Sequence, residues 1–466
     1  MPALRPRIIV VASYGFSARY LLPTGLLDRL AAVADTTVAL SWDDPELVEA
    51  VEATGATAAR LPDPEVSHEY RRLERFADLN FDHRLKSPTT PINRRWRRAV
   101  GTTQQTIITT IRQAWGEVVF RVPGVTARRE AAAEAMAATG TNVDAFIRWL
   151  EPQGADAVIS LTPYHRSDHL TLLAARTLCV PTLASIISFD NPTTRGRMPV
   201  LPDRILVWNR FNCGELLRSY PGLSGDDVRI IGAPQFDLHQ DRSLVVDEAD
   251  WRRQLGLPPD RPVLLYAAGP ELLFPGEERL VAAIAAAIDE GRIPGSPVVL
   301  VRGHPAEAGS RWEAAASDHV VVDPGWGRVD GGRAWPSSHD TALQISTLTH
   351  AVVHLSICSS MAIDGAAVDR PTVAPVFIPG IGWRGMRRLR AFYRQEHWAP
   401  IAASGAVDEV TDLDALVAAV TAHLADPSLG REARADLVTA VLTHGDGESC
   451  RRLTDEIVEL VGVPRG

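Results

Sequence analysis

Short apolar runs alternate with stretches of helical period along almost the whole chain. In the first half the runs predict strands at Arg7–Ala12, Thr36–Leu40, Asp156–Leu161, Thr182–Ile187, Arg204–Trp208 and Val228–Ile231. In the second half they predict strands at Pro262–Ala267, Pro297–Val301, His319–Val322, Ala351–Leu355 and Thr372–Val376. Strands separated by helices make a parallel α/β architecture. A chain of 466 residues exceeds one typical core, so the pattern predicts two doubly wound, Rossmann-like domains. The expected bounds are 1–240 with an insertion at 65–145, a polar linker at 241–259, a second domain at 260–430, and a helical segment at 431–466 whose last helix returns to the first domain. Two such sheets are expected to face a central cleft, with ligands at the carboxyl ends of their strands.

Within this frame the segment Val352–Val373 carries the most specific chemistry. A short apolar strand runs into Ser359-Ser360, which can open a helix rich in small residues (Ala362, Gly365, Ala366, Ala367) and ending before Pro371. Unpaired N–H groups and a partial positive charge at a helix start favour phosphate. Asp364, one turn in, could take a ribose hydroxyl, although an ordinary capped helix would read the same way.

Composition removes several alternatives. Apolar content of 45% and charged content of 23% are those of an ordinary water-soluble chain, and a net charge of −9 argues against a nucleic-acid partner. Cys179, Cys213, Cys358 and Cys450 show no CxxC spacing, so neither a zinc site nor a disulfide framework is expected. The apolar run Ile8–Ala12 is too short for a signal core or membrane span, which predicts a cytoplasmic protein. Lys86 is the sole lysine and lies in no phosphate loop, which disfavours Walker-type nucleotide binding and pyridoxal chemistry. The arginine bias reads as that of a GC-rich bacterial genome. No GxGxxG follows a predicted strand; Gly325-Trp326-Gly327 comes nearest, with Asp330 where the third glycine belongs.

Further candidates stand at predicted strand ends. Arg302-Gly303-His304-Pro305 would place His304 to steady a leaving phosphate or relay a proton. Asp323-Pro324-Gly325-Trp326 could meet a nucleobase, and Ala268-Gly269 could approach a phosphate closely, though both also read as plain turns. In the first half, the loops Thr162–His169 and Ser188–Gly196 offer His165 and Asp190 as general bases for an incoming hydroxyl. His165 and His169 have metal-pair spacing but no intervening Glu, and Ser167 or Asp168 reads as a helix cap. Asp412-Leu413-Asp414 likewise reads as a cap of the Leu416–Leu424 helix. No metal ligand is assigned.

Two basic-aromatic patches interrupt the alternation. One is His68–Gly101, with Arg71, Arg72, Arg75, Arg84, Lys86, Arg94, Arg95, Arg97 and Arg98 among Tyr70, Phe76, Phe81 and Trp96. The other runs from Trp383 through Arg384, Arg387, Arg388 and Arg390 to Arg394. Each is either a solvated helix face or a site for an acceptor or a membrane surface.

Taken together these residues resemble the GT-B class of glycosyltransferases, particularly the branch of CDP-glycerol glycerophosphotransferases and related surface-polymer transferases. Ile231-Gly232-Ala233-Pro234-Gln235-Phe236-Asp237 is similar to that branch's Gly-x-Pro-x-x-Asp. Arg302-Gly303-His304-Pro305 is similar to its Arg-x-His-Pro, Ser359-Ser360 with Asp364 and Arg370-Pro371 to its nucleotide-diphosphate segment, and Gly445-Asp446-Gly447 to the start of its terminal helix. The Ser188–Gly196 loop and the Asp203–Trp208 strand also resemble it, so the likeness runs from about Ala155 onward. It departs at Ile357-Cys358, where many relatives have Asp-Tyr, at Arg370 in place of Lys, and at the His68–Gly101 insertion.

The resemblance implies a metal-independent glycosyltransferase of polysaccharide or glycoconjugate biosynthesis that uses a nucleotide-diphosphate sugar and no other cofactor. The second domain would bind the donor through Gly269, Arg302, His304, Gly325, Trp326, Ser359, Ser360 and Asp364. The first would present a glycan, lipid-linked or small-molecule hydroxyl acceptor, with peripheral contact to the inner membrane face as a further expectation. The alternatives are a nucleotide-sugar 2-epimerase, a glycerophosphotransferase and a non-catalytic binding protein of the same fold.

Overall fold

The computed structural model describes residues 5–462, apart from 101–106, 108–109, 112–113, 117, 121, 123, 305–310, 313–314, 324 and 326–334; for 97–100 and 126–127 it describes the backbone only. The chain divides into two compact units, Met1–Pro234 with Glu448–Gly466, and Gln235–Gly447.

The first unit is built on β1 (Arg7–Ala12), β2 (Asp35–Leu40), β3 (Thr57–Arg60), β4 (Ala157–Ser160), β5 (Thr182–Ser185), β6 (Arg204–Val207) and β7 (Val228–Ile230). They form one seven-stranded sheet in the order β3-β2-β1-β4-β5-β6-β7. Every pairing is parallel. The central strands are buried from end to end, as strands covered by helices on both faces must be. The order reverses beside β1, where Ile8 pairs with both Thr36 and Ala157. Connections leaving β1 and β4 therefore diverge and open a crevice at their carboxyl ends.

The second unit carries β8 (Val263–Ala267), β9 (Val298–Arg302), β10 (Val320–Asp323), β11 (Val353–Leu355), β12 (Thr372–Pro375) and β13 (Val407–Val410). The order is β10-β9-β8-β11-β12-β13, again all parallel. Its switch point lies between β8 and β11.

Both sheets match the predicted doubly wound α/β class, and each predicted strand is present to within a residue or two. Two strands escaped the sequence, β3 and β13, and both are sheet edges. Their residues, Thr-Ala-Ala-Arg and Val-Asp-Glu-Val, stay largely exposed and form no apolar run.

The stretch expected to link the domains behaves differently. Residues 241–259 include the helix Glu248–Leu255, whose Trp251 is fully buried in the core of the second unit with Leu257, Leu265, Leu300 and Leu348. Its indole N–H donates to Thr347 Oγ1 at 3.0 Å. Polar composition concealed one apolar anchor on an otherwise solvated helix. The last helix, Ser449–Leu460, belongs to the first unit, where Glu456 takes an ion pair from Arg204 at 2.8 Å. The helices His68–Leu85, Thr89–Val100 and Val125–Ala137 lie within the predicted insertion. No helix among the described residues is long and apolar enough to cross a membrane.

Candidate functional site

In the second unit the loops leaving β8, β9, β10 and β11 carry the candidates. The segment after β11 turns through Cys358, which takes a positive φ of 39°. Its N–H donates to the Tyr393 hydroxyl at 3.1 Å, and that hydroxyl donates to Pro375 O at 2.8 Å. Tyr393 thus pins the turn that delivers Ser359 and Ser360. Ser360 is exposed and begins the seven-residue helix Met361–Ala367 without a side-chain cap; Ser359 Oγ accepts from Met361 N–H at 3.3 Å. Gly365 allows close packing of this helix, since a Cβ there would lie 2.5 Å from Thr372 Oγ1.

Three expected ligand contacts turn out to be internal. Asp364 is only 5% exposed, and its Oδ1 bonds Nε2 of His239 at 3.0 Å. The carboxylate expected to meet a ribose therefore already has a buried partner. Arg302 Nη1 donates to Asp323 Oδ2 at 2.5 Å, both side chains being buried. Asp323 Oδ1 accepts the Gly325 N–H at 2.9 Å, with Gly325 at φ 78°, a conformation suited to glycine. Arg302 thus joins the ends of β9 and β10. The third case is Gly269, whose N–H donates to Glu277 at 3.1 Å instead of lying open to a phosphate. Trp326, with Pro305, Pro324 and Asp330, lies outside the described residues.

Glu277 was not singled out by sequence. It is fully buried, and it accepts from Tyr266 at 2.9 Å, Gly269 and Arg311 at 3.0 Å. Burial pushes its carboxyl up to about 7, against the pull of Arg311 and the other donors. Arg311 also donates to Gly269 O at 2.7 Å and lies over the Trp312 ring. Burial, with a smaller contribution from Arg311, lowers the His304 pKa. His304 is therefore a neutral imidazole at neutral pH, able to donate one N–H or accept a proton, while Arg311 supplies the charge nearby. An acidic residue opening the helix Glu277–Asp289, with an arginine downstream, was the available signal, but nothing in their spacing pairs them.

In the first unit the crevice beside β1 and β4 is organised by Asp168. Sequence suggested a helix cap; instead, Asp168 lies fully buried inside the helix Arg166–Thr177. It accepts from Ser13 Oγ, from Ser160 Oγ at 2.6 Å, and from the N–H and hydroxyl of Thr162 at 3.1 Å. Burial pushes its carboxyl up to about 6 despite these bonds. One carboxylate therefore ties together the loops leaving β1 and β4.

Those loops display Tyr14 and His165, with ring centroids 5.1 Å apart, and the Arg195 guanidinium lies 5.6 Å from the Tyr14 centroid. Burial, then Arg195, lowers the His165 pKa. Asp190, after β5, accepts from Ser188 Oγ and from Thr194 Oγ1 at 2.8 Å. His169 is held by Tyr70 Oη at 3.4 Å and by Glu74. The spacing that suggested a metal pair serves packing. Asp412 caps its helix as expected, accepting from Ala415 N–H at 2.9 Å.

The basic-aromatic patches divide by side chain. Tyr70, Phe76 and Phe81 are buried, whereas Arg71, Arg72 and Arg75 are exposed, so those rings are core and not a sugar platform. In the second patch Phe392 and Tyr393 turn inward, and Trp383 stays 68% exposed with Arg384 and Arg387 over its ring.

No protein-family model and no curated protein sequence matches the chain. Solved structures match its fold over nearly its full length. A Neisseria meningitidis UDP-GlcNAc 2-epimerase bound to UDP-GlcNAc aligns at TM-score 0.55 and 11% identity, covering 97% of this chain and 100% of that one. Staphylococcus aureus MnaA with UDP aligns at TM-score 0.55 and 10% identity, covering 98% of each chain. A Rickettsia africae glycosyltransferase aligns at TM-score 0.51 and 10% identity, covering 99% and 100%. The chain has the two-unit α/β fold called GT-B.

Proposed function

We propose that this protein is a nucleotide-sugar enzyme that moves a sugar from a nucleotide diphosphate to a hydroxyl acceptor without a metal ion. The observation that carries the reading is the switch point of the second sheet. There the Ser359–Ser360 turn after β11 stands beside the β8 loop, whose Gly269 is tied to Glu277 and Arg311, with His304 in the loop leaving the neighbouring β9. Ligands of doubly wound sheets bind at such points. Full-length fold likeness to proteins solved with UDP and UDP-GlcNAc supports the same reading.

On this reading the second unit binds the donor. Backbone N–H groups at Ser359–Ser360, the serine hydroxyls and His304 meet the diphosphate charge that grows as the bond to the sugar breaks. Donors fixed in advance of charge development give large rate effects. Arg302 and Asp364 act by positioning, through Asp323 and His239. The first unit presents the acceptor, a hydroxyl of a glycan, a lipid-linked carrier or a small molecule. His165, neutral at pH 7 and set against Tyr14 and Arg195, takes its proton; Asp190 is the other candidate base.

A second reading is a 2-epimerase. It is favoured by the solved epimerase, which aligns at TM-score 0.55 against 0.51 for the glycosyltransferase. The short motifs around Pro234, His304 and Ser359 keep a CDP-linked donor in view.

The test is thermal stabilisation by UDP, CDP, GDP, ADP and TDP, with and without magnesium, followed by turnover of the matching nucleotide sugar. One nucleotide raising Tm equally in both conditions is expected, because ligand binding to the folded state stabilises it by mass action. Donor consumption that needs an acceptor supports transfer, and sugar isomerisation without one supports epimerisation. No shift with any nucleotide overturns both.

A further inference from the structure

In the first unit three side chains able to hydrogen-bond meet at the crevice beside β1 and β4 without a protein partner. Tyr14 and His165 are half-buried and Arg195 is exposed. Among the described residues, the Tyr14 hydroxyl, the His165 ring nitrogens and the Arg195 guanidinium make no hydrogen bond or ion pair. Arginines close to them in sequence are committed: Arg166 donates to Glu74 at 2.6 Å and Arg197 to Asp78 at 3.1 Å. Asp190, the acid on the loop of Arg195, accepts from the hydroxyls of Ser188 and Thr194.

Arg195 stands on a braced turn. Its N–H donates to Asn191 O at 3.0 Å, and Thr193 and Thr194 Oγ1 donate back to Asp190 O at 3.2 and 3.0 Å. Asn191 and Thr193 are buried. From that turn the guanidinium lies over Tyr14, 5.6 Å from the ring centroid, and the His165 ring is 5.1 Å from the same centroid. Contact with an aromatic face steadies a guanidinium and leaves its N–H fork free for a carboxylate or phosphate. One tyrosine therefore sets a cation and a neutral imidazole close enough to serve one small molecule. Burial and then Arg195 lower the His165 pKa, and an oxyanion at Arg195 offsets the second of these, returning proton affinity to the imidazole. In a chain of net charge −9, a cation left unpaired in a crevice selects for negative charge.

We propose that the ligand of this crevice is a hydroxyl compound bearing an oxyanion, a carboxylate or a phosphate, which Arg195 binds while the hydroxyl faces His165. The inference rests on the assignment of the first unit to the acceptor, and it narrows that acceptor to an acidic sugar or a sugar phosphate. A neutral sugar leaves the guanidinium without a partner.

The experiment is calorimetric titration of the full chain with methyl glucuronide, glucose 6-phosphate and methyl glucoside, each with and without UDP. At least one acidic sugar is expected to bind at least about tenfold more tightly than the neutral glucoside, the effect of a charge-assisted pair. Preference between the two acidic sugars names the oxyanion. R195A should abolish the tenfold preference at unchanged Tm, since the side chain is exposed. R195K keeps the charge without the planar fork and should recover part of the preference. Should R195A prove unstable, R195Q, which keeps length and polarity, should show the same loss. Equal binding of all three sugars, no binding of either acidic one, or an undiminished preference in R195A overturns the proposal. So does a UDP-induced rise in Tm that R195A abolishes, which would give the guanidinium to the donor diphosphate. Acidic-sugar binding through Arg195 with no nucleotide shift sinks the donor reading and leaves this site standing; a nucleotide shift without acidic-sugar binding does the reverse.

Discussion

His239 Nε2 and Asp364 Oδ1 lie 3.0 Å apart, buried within the second unit, and the His239 ring stacks on Phe236 with centroids 4.8 Å apart. The pair ties the segment Pro234–Gln240 to the helix that begins at Met361. Asp364 thereby orients the Ser359–Ser360 turn and has little reason to leave its partner for a ribose. Asp364→Asn should lower unfolding free energy by about 1–3 kcal/mol, the usual cost of compromising a buried charged bond. Nucleotide affinity should fall in step with that loss of stability, since the turn loses the bond that orients it. A large loss of affinity at unchanged stability, read by titration and urea unfolding, would return Asp364 to direct ligand contact.

Ser360 offers the opposite test. It is exposed and makes no capping bond to its own helix, so Ser360→Ala should change stability by no more than about 0.5 kcal/mol. A hydroxyl donating to a diphosphate is worth about 1.5–3 kcal/mol, so the same variant should weaken nucleotide binding at least about tenfold. Adding Ser359→Ala should deepen the loss. Full affinity in the double variant would reduce this turn to architecture.

The central strands were readable because burial on both faces imposes continuous apolar runs such as Val263–Ala267 and Val298–Arg302. Edge strands carry no such constraint, which is why Thr57–Arg60 and Val407–Val410 were silent. Positions at strand ends were legible for the same reason, since a strand that can be located also locates its loop. Partnerships were not. Arg302 with Asp323, His239 with Asp364, and Asp168 with Ser13 are separated by up to 155 residues, and only the folded sheet brings them together. Sequence therefore found Arg302 and Asp364 but gave them to a ligand, while their carboxylate and imidazole partners claim them in the fold.

The Arg302–Asp323 pair should behave as a buried structural tie. Removing one partner strands a buried charge, so Arg302→Ala should cost about 3–5 kcal/mol. The double variant R302M/D323L, which removes both charges, should recover much of that loss. Donor affinity should follow the Gly303–His304 and Gly325 loops that the pair holds. A stable R302A variant with selectively lost nucleotide binding would instead show the guanidinium meeting phosphate.

Acid stability is set by buried histidines with a defined sign. Burial lowers the His169 pKa to about 3 and the His354 pKa to about 4. In the unfolded chain both titrate near about 6.5. Below that value the unfolded chain takes up protons that the folded protein refuses. Their contribution is complete above about pH 6.5 and is lost as pH falls towards the folded values. At pH 5 each should cost about 2 kcal/mol relative to pH 7. His169→Asn should flatten the fall in urea midpoint between pH 7 and pH 5. Asp168 acts in the opposite sense: burial raises its pKa to about 6, so the folded state holds a proton that the unfolded state has already released. Asp168→Asn removes that offset and should steepen the same fall. An unchanged pH slope in both variants would mean that neither group titrates differently on unfolding, and the hydroxyl-lined carboxylate beside β1 would lose its electrostatic role.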